Sequence, residues 1–210
     1  MSRNLSSLAL LGATLGAVAL GAACSSSSTG TGTGALKVQL TDAPFSSDSV
    51  SRVDIFVVRI DAKTAVSDSA EAAKGATDDS ASASGWTTIA TPNAKIELLA
   101  LRNGVFKELG KKTLAAGTYQ SFRLIIDATQ SSVTLKNGTV LTNSSTPSVT
   151  FPSASRSGIK INLTTPLVVT AGDTTTTLVD FDVNQSFVMR GATINQNGLL
   201  FKPVITAKIK

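Results

Sequence analysis

The 210-residue chain contains no histidine and only one cysteine. The lack of histidine excludes Ser-His-Asp triads and most familiar zinc or iron sites. A single cysteine also excludes an intrachain disulfide. Catalysis would therefore depend on carboxylates, a Ser-Lys pair or a metal held by oxygen ligands, and we expect a protein that is not an enzyme.

Aromatic residues are scarce as well, at 5% of the chain, with one tryptophan and one tyrosine. The net charge is +5, but the basic residues are scattered and the densest basic pair is Lys111-Lys112. Nucleic-acid binding requires a basic stripe combined with aromatic platforms. We therefore expect no nucleic-acid partner.

The single cysteine, Cys24, lies where an exported chain would carry a lipid. Arg3 and the apolar stretch Leu5 to Leu20 are typical of a signal peptide, and Gly21-Ala22-Ala23 supplies the small residues that precede cleavage. This arrangement resembles the lipobox of bacterial lipoproteins, although Gly21 stands where leucine is usual. Secretion after Ala23 without a lipid is the alternative.

These features predict three segments: a signal peptide over residues 1–23, a lipid-anchored Ser/Thr/Gly linker over residues 24–34 and a folded domain over residues 35–210. The predicted partner at the N-terminus is the membrane, reached through an acyl chain such as palmitate on Cys24. Ser25 is not the aspartate that retains many lipoproteins at an inner membrane. The predicted location is the periplasmic or cell-surface face of the envelope, on the outer membrane if the organism has one.

Apolar and polar residues alternate along most of the predicted domain, which is the period of a β-strand. The predicted strands contain Leu36–Leu40, Val53–Ile60, Trp86–Ile89, Lys95–Leu99, Thr118–Asp127, Val133–Lys136, Thr139–Leu141, Gly158–Leu163, Leu167–Thr170, Thr175–Val183, Phe187–Arg190 and Leu199–Ile209. No long segment has a helical stripe, although Glu97 to Leu101 fits a helical turn. The pattern predicts an all-β fold, a two-sheet antiparallel β-sandwich.

Turn residues separate the strands. Asn137-Gly138 predicts a type I′ hairpin. Asn103-Gly104 and Asn197-Gly198 predict two further tight turns, and Pro166 and Pro203 predict strand starts or edges. The Ala/Ser/Asp-rich region from Ala65 to Gly85 predicts one long exposed loop.

Eight short motifs occur in an order that resembles the bacterial and archaeal domain-of-unknown-function 4382 family. They are Leu40-Thr41-Asp42-Ala43-Pro44, Gly85-Trp86, Leu98 to Gly104, Leu114 to Tyr119, Phe122-Arg123-Leu124, Ser157 to Lys160, Asp180 to Val183 with Ser186, and Leu200 to Ile205. The resemblance implies an exported, often lipid-anchored domain and no particular activity. The Ala116-Gly117-Thr118-Tyr119 turn also resembles the strand entry of transthyretin-like sandwiches, and we expect a transthyretin-like or immunoglobulin-like architecture.

Acidic residues number only 14, and three of them suggest a cation site. Asp180 and Asp182 share one face of a predicted strand about 6.6 Å apart. Asp42, at the end of the first strand, would add a third ligand if the first and late strands are neighbours, and Asn184 a fourth. Oxygen ligands in this number suit Ca²⁺.

Structural roles compete with this calcium prediction. Asp42 could accept backbone N–H groups in an Asx-type turn that Pro44 ends. Asp180 and Asp182 could lie on a solvated face or pair with Arg123 or Lys160.

Trp86 and Tyr119 could form a ligand platform, but the sequence favours two core residues whose polar tips reach a partner. Lys202-Pro203 fits an edge that resists strand addition, with a partner-binding edge as the alternative.

The sequence therefore favours a non-catalytic lipoprotein module of the cell envelope that binds an unknown protein, glycan or small ligand. The first alternative is a structural domain stabilised by Ca²⁺ at Asp42, Asp180 and Asp182. The second is a carboxylate-dependent hydrolase, which would need a cleft around an acidic pair.

Overall fold

The computed structural model describes residues 32–43, 49–64, 85–152 and 157–210. The predicted signal peptide, Cys24, most of the predicted linker, Pro44 and nearly all of the predicted long loop lie outside these residues. Among the described helices, none is both long enough and apolar enough to cross a membrane.

Strands dominate the described residues, which confirms the predicted all-β class. The thirteen strands are β1 (Thr33–Asp42), β2 (Val50–Thr64), β3 (Trp86–Ala90), β4 (Ala94–Glu97), β5 (Lys107–Ala115), β6 (Gly117–Leu135), β7 (Val140–Leu141), β8 (Val149–Thr150), β9 (Ile159–Val169), β10 (Thr174–Phe181), β11 (Phe187–Met189), β12 (Leu199–Phe201) and β13 (Ile205–Ile209). A 3-10 turn covers Leu98–Leu101, and two single-turn helices cover Val183–Ser186 (α1) and Ile194–Asn197 (α2).

The described strands form three sheets. The first has the order β13-β10-β1-β5. The second contains β3, β2, β6 and β7, with β4 added to β2 and β9 added to β6, and the third has the order β11-β12-β8. Most pairs are antiparallel, as expected, but β1 pairs with β10 in parallel and β12 pairs with β8 in parallel.

One hydrophobic core joins the sheets. Leu36, Val38 and Leu40 alternate along β1 and are all buried in this core. Leu124 and Ile126 on β6 belong to the same cluster. The first two sheets therefore bury their facing sides against each other, which is the sandwich arrangement that the alternating pattern predicts.

Several strand boundaries differ from the sequence prediction. Two predicted strands merge into the single β6, and two others merge into β9. The register between β6 and β9 shifts between Tyr119 and Ser121. This shift leaves Pro166 in the irregular part of an edge strand. The predicted strand Leu199 to Ile209 is instead two strands in different sheets. Strand β5 has no counterpart in the prediction, because Leu109 and Leu114 are its only large buried residues.

The Asn-Gly turns differ from each other. At Asn137-Gly138 the predicted hairpin forms between β6 and β7, but only Gly138 has a positive φ. Gly138 N donates to Leu135 O, and Leu135 N donates to Thr139 O, so the turn has a three-residue loop instead of the predicted type I′ form. Asn103 and Gly104 both have positive φ, of 59° and 83°, and form the type I′ geometry between the 3-10 turn and β5.

The domain begins earlier than the predicted residue 35, because β1 starts at Thr33. A Cβ atom on Gly34 would lie 2.1 Å from the carbonyl oxygen of Thr170. Gly34 therefore packs closely against the neighbouring backbone. The sequence assigned it to the linker because the residues before it are also Ser, Thr and Gly.

Candidate functional site

Asp42 ends β1 inside the protein, with only 4% of its surface exposed. Its Oδ1 accepts a hydrogen bond from Val183 N at 3.2 Å. Since β1 pairs with β10 in parallel, the first strand and the late strand are neighbours. The condition for bringing Asp42 close to Asp180 and Asp182 is therefore met.

The register nevertheless places Asp42 and Asp180 on opposite faces of the sheet. Asp42 is paired with the core residue Phe181, whereas Asp180 is paired with Thr41. Residues that are paired across neighbouring strands share a face, and successive residues alternate. Asp42 and Asp180 are therefore only one position apart in the register of β1 and β10, but their side chains lie on opposite sides of the sheet backbone.

Asp182 has a structural role at the start of α1. It is the N-cap residue, and its side chain accepts hydrogen bonds from Gln185 N, at 2.9 Å, and from Gln185 Nε2. Such a cap satisfies a backbone donor that the first turn of a helix leaves free. Asn184, the proposed fourth ligand, lies exposed in the same short helix.

The pKa of Asp42 is raised to about 7, mainly by burial and also by the nearby negative charges of Asp180 and Asp182. The hydrogen bond from Val183 and the charge of Arg102 act in the opposite direction. Asp42 Oδ2 and Asp180 Oδ1 are buried without a hydrogen-bond partner. Within the described ranges, no group of three or more Cys, Asp or Glu residues is placed to hold a metal ion.

A second charged cluster, which the sequence analysis did not find, lies on the six-stranded sheet. Asp61 on β2 and Arg123 on β6 are directly paired in register, and both are completely buried. Asp61 Oδ2 accepts hydrogen bonds from Arg123 Nη2 at 2.9 Å and Nε at 3.2 Å. Arg123 therefore pairs with Asp61. The alternative in which Arg123 pairs with Asp180 or Asp182 is wrong.

Further contacts complete this cluster around Asp61. Arg59 Nε also donates to Asp61 Oδ2 at 3.1 Å, and Thr88 Oγ1 donates to Asp61 Oδ1 at 2.8 Å. Arg123 has no second acceptor, since its Nη1 is buried without a hydrogen-bond partner. The cluster holds one carboxylate against two guanidinium groups.

Trp86 covers the arginine. The guanidinium carbon of Arg123 lies 4.7 Å from the centre of the Trp86 ring, within cation–π distance. On the other side, a Cβ atom on Gly158 would lie 2.7 Å from Arg123 Cγ. Trp86 is therefore buried as a packing partner of an ion pair, and no open platform forms at its ring.

Tyr119 is a core residue, as the sequence favoured. It is 3% exposed, and its hydroxyl group donates to the Ala115 carbonyl oxygen at 3.0 Å. The polar tip reaches a backbone acceptor while the ring packs in the hydrophobic core.

Two clefts border β11. One, of about 440 Å³, has a mixed apolar and polar lining; it consists of Ser49, Leu135, Lys136, Asn137, Met189, Ala192, Thr193, Ile194 and Asn195. The other, of about 450 Å³, is mainly apolar; its lining consists of Pro152, Gln185, Val188, Phe201, Lys202, Pro203 and Val204. Val188 and Met189 are both largely exposed and are adjacent in the strand.

The apolar cleft rests on a group of packed aromatic rings. Phe201 stacks on Phe181 with a centroid distance of 5.9 Å, and the rings of Phe151 and Phe187 lie 5.0 and 5.1 Å from that of Phe201. The floor of this cleft is therefore a fixed surface, because rings packed in this way cannot turn without disturbing each other. Lys202 and Pro203 lie between β12 and β13, on the rim of the cleft.

Comparison with known proteins gives one match. A family described as "Domain of unknown function (DUF4382)" matches residues 33–203. The match begins at the first residue of β1 and ends just before β13. No curated protein and no solved structure matches the chain.

Proposed function

We propose that the chain, which belongs to the DUF4382 family, is a non-catalytic module of the cell envelope. In this proposal a lipid on Cys24 anchors the chain to a membrane, and the folded domain binds a partner. The anchor is supported by the apolar stretch, the small residues before Cys24 and the Ser/Thr/Gly segment after it.

The pair of clefts beside β11 supports binding most directly. Exposed Val188 and Met189 each line one of the two clefts, and the cleft at Val188 has the packed Phe201 ring in its floor. Ligand sites in proteins are commonly concave and largely apolar, with a few polar groups that orient the ligand. Here Asn137, Asn195 and Lys202 supply such groups.

A photocrosslinking amino acid placed at Val188 or Met189 tests this proposal in living cells. We expect a discrete crosslinked adduct at one or both positions, and its mass and enzyme sensitivity would distinguish a protein from a glycan. The matched control carries the same amino acid at Lys95, which is exposed on β4. Absence of any adduct at both cleft positions, or an equal adduct at Lys95, would contradict binding at the clefts.

Calcium binding at Asp42, Asp180 and Asp182 is a second proposal. It is supported by the unpartnered oxygen atoms of Asp42 and Asp180 on neighbouring strands. A cation or a proton would each relieve the repulsion between these acids. The carboxylate-dependent hydrolase stays a prediction of the sequence, since none of the described contacts favours it.

A further inference from the structure

The outer face of the four-stranded sheet carries four lysines. Lys37 on β1 is directly opposite Lys111 on β5, and it is paired on its other side with Thr176 on β10. Lys208 on β13 is paired with Leu178, two residues after Thr176. Lys210 directly follows β13, and its N–H donates to the Thr176 carbonyl oxygen, which continues the ladder by one residue. These residues alternate with core residues, so their side chains lie on the side away from the core. We call Lys37, Lys111, Lys208 and Lys210 the basic face.

The fold itself gains little from this arrangement. Like charges directly opposite each other on neighbouring strands destabilise a sheet, and Lys37 and Lys111 are such a pair. Glu108, whose carboxylate lies 3.6 Å from Lys37 Nζ, offsets only part of this repulsion. Among the described residues of this face, Glu108 and Asp180 are the acids set against four lysines.

An exposed apolar pair adjoins the basic face. Val105 is 52% exposed and Phe106 is 48% exposed. Thr41 Oγ1 on the outer face donates to the Val105 carbonyl oxygen at 2.8 Å, which places this segment against the sheet. Lys210 Nζ lies 4.7 Å from the Phe106 ring. An aromatic and an aliphatic side chain beside a lysine-bearing face have the composition of surfaces that lie in a bilayer interface.

The length of the chain before β1 limits how far this face can be from the anchor. Eight residues lie between Cys24 and Thr33, and the nine Cα–Cα steps from one to the other span at most roughly 32 Å. Lys37 follows only four residues into β1, or about 13 Å. With Cys24 acylated, the basic face would stay within reach of the same membrane.

We propose that the basic face binds an anionic lipid bilayer, with Val105 and Phe106 entering the headgroup region. The partner is a lipid surface because lysines and an exposed aromatic residue are combined on one side of a sheet that is short of acids. Electrostatic attraction of a lysine to an anionic membrane is worth about a fivefold gain in partitioning. Four lysines together then hold the domain against the bilayer. The role of the tether in this inference rests on the proposed lipid anchor.

Sedimentation with lipid vesicles tests the face without the tether. The probe is the mature chain from residue 24 with Cys24→Ser, which contains all thirteen strands and carries no lipid. We expect it to sediment with vesicles that contain phosphatidylglycerol, to stay in solution with pure phosphatidylcholine, and to be released by salt. The double variant K111E/K208E should lower the partition coefficient at least tenfold, and the control K95E/K160E, which changes two exposed lysines of the six-stranded sheet and has the same change in net charge, should not.

A second measurement addresses the apolar pair and guards against misfolding. In the variant F106W, brominated lipids should quench the new fluorescence in anionic vesicles, and the melting temperature should match that of the parent chain. Equal binding to both vesicle types, or full binding by K111E/K208E, would overturn the proposal. So would retention on an acidic polysaccharide without sedimentation, which would indicate a glycan partner instead. An unmodified Cys24 in the native protein would remove the anchor but would leave the vesicle result unchanged.

Discussion

Asp42 is the described residue whose chemistry departs most from its ordinary behaviour. A carboxyl group with 4% exposure and two acids nearby is costly to ionise. A proton relieves that cost directly. A cation would have to reach Asp42 and Asp180 from opposite faces of the β1–β10 pair. The geometry therefore favours protonation of Asp42 over metal binding at this position.

Stability should consequently depend on pH through Asp42. Its pKa rises from 3.8 to about 7 on folding, so the folded state holds its proton more tightly than the unfolded state. The contribution of Asp42 to stability is complete below pH 4 and is lost as the pH rises through 7. We expect a decrease in the free energy of unfolding on the order of 2 to 4 kcal/mol between pH 4 and pH 8.

The variant Asp42→Asn isolates this effect, because the amide oxygen can still accept from Val183 N. Urea unfolding at pH 4, 6 and 8 should show a smaller decrease for Asp42→Asn than for the parent chain. Asp173→Asn serves as the control, since Asp173 is exposed in the turn before β10 and does not contribute to the pKa of Asp42. Parallel pH profiles for the parent chain and Asp42→Asn would disprove the assignment.

The effect of calcium on the melting temperature tests the calcium proposal. If Asp42, Asp180 and Asp182 bind Ca²⁺, millimolar calcium should raise the melting temperature of the parent chain at pH 8, a chelator should reverse the rise, and Asp180→Asn should abolish it. An unchanged melting temperature would end the calcium proposal and leave the proton as the means of relieving the charge.

At the scale of elements, the pairing of β2 with β6 depends on a charged row across the sheet. Thr88, Asp61 and Arg123 stand in register on β3, β2 and β6. The row links three strands by side-chain hydrogen bonds in addition to the backbone ladder. Trp86 and Gly158 then close the space around Arg123.

Loss of Asp61 should cost more stability than loss of Arg123. After Arg123→Met, Asp61 keeps Arg59 and Thr88 as partners. After Asp61→Leu, which removes both carboxylate oxygens, the buried Arg123 charge keeps only the Trp86 ring among the contacts described here. Breaking a buried ion pair typically costs about 3–5 kcal/mol. We expect a loss of stability at or above this range for Asp61→Leu and below it for Arg123→Met, as measured by urea denaturation.

The double variant Asp61→Leu with Arg123→Met completes the cycle. Because it removes both buried charges together, it should lose less stability than the sum of the single changes. Additive losses would mean that the two residues contribute independently. Such a result would contradict the role of the row as one unit.

At the scale of the whole molecule, the sequence predicted the fold class and the strands with a clear apolar alternation, such as β1, β2 and β10. It did not predict β5, where exposed lysines mask the two buried leucines. It also could not predict that β1 and β10 are parallel, since a strand pattern does not encode the direction or the register of a partner some 139 residues away. For that reason the sequence suggested that Asp42 could join Asp180 at one site, whereas the structure places these two side chains on opposite faces of the sheet.

The same limit explains why the Asp61–Arg123 pair was not found. Each residue stands within an alternating strand, where a lone charge is usually solvated. Their separation of 62 positions becomes a contact only through the register of β2 and β6. The local pattern Arg59-x-Asp61 was the available signal, because two opposite charges on one strand face indicate a polar cluster there.

The anchor is the prediction that concerns the whole chain. Mass spectrometry of the protein from membranes should show an acylated Cys24 at the mature N-terminus, and labelling with a palmitate analogue should be lost in Cys24→Ser. The variant should still fold, with an unchanged melting temperature. An unmodified Cys24 in the native protein would indicate plain secretion after Ala23.

The central position of β1 has a mechanical consequence. It is the first strand after the linker, yet it lies between β10 and β5 and is hydrogen-bonded to both along most of its length. If the chain is held at its N-terminus, a pull on the domain acts along the axis of β1. The two ladders are then loaded in shear, and their bonds must break together rather than one by one from an edge. In that case the strand that receives the load has a hydrogen-bonded neighbour on each side, so the domain could bear tension without first losing its attachment point.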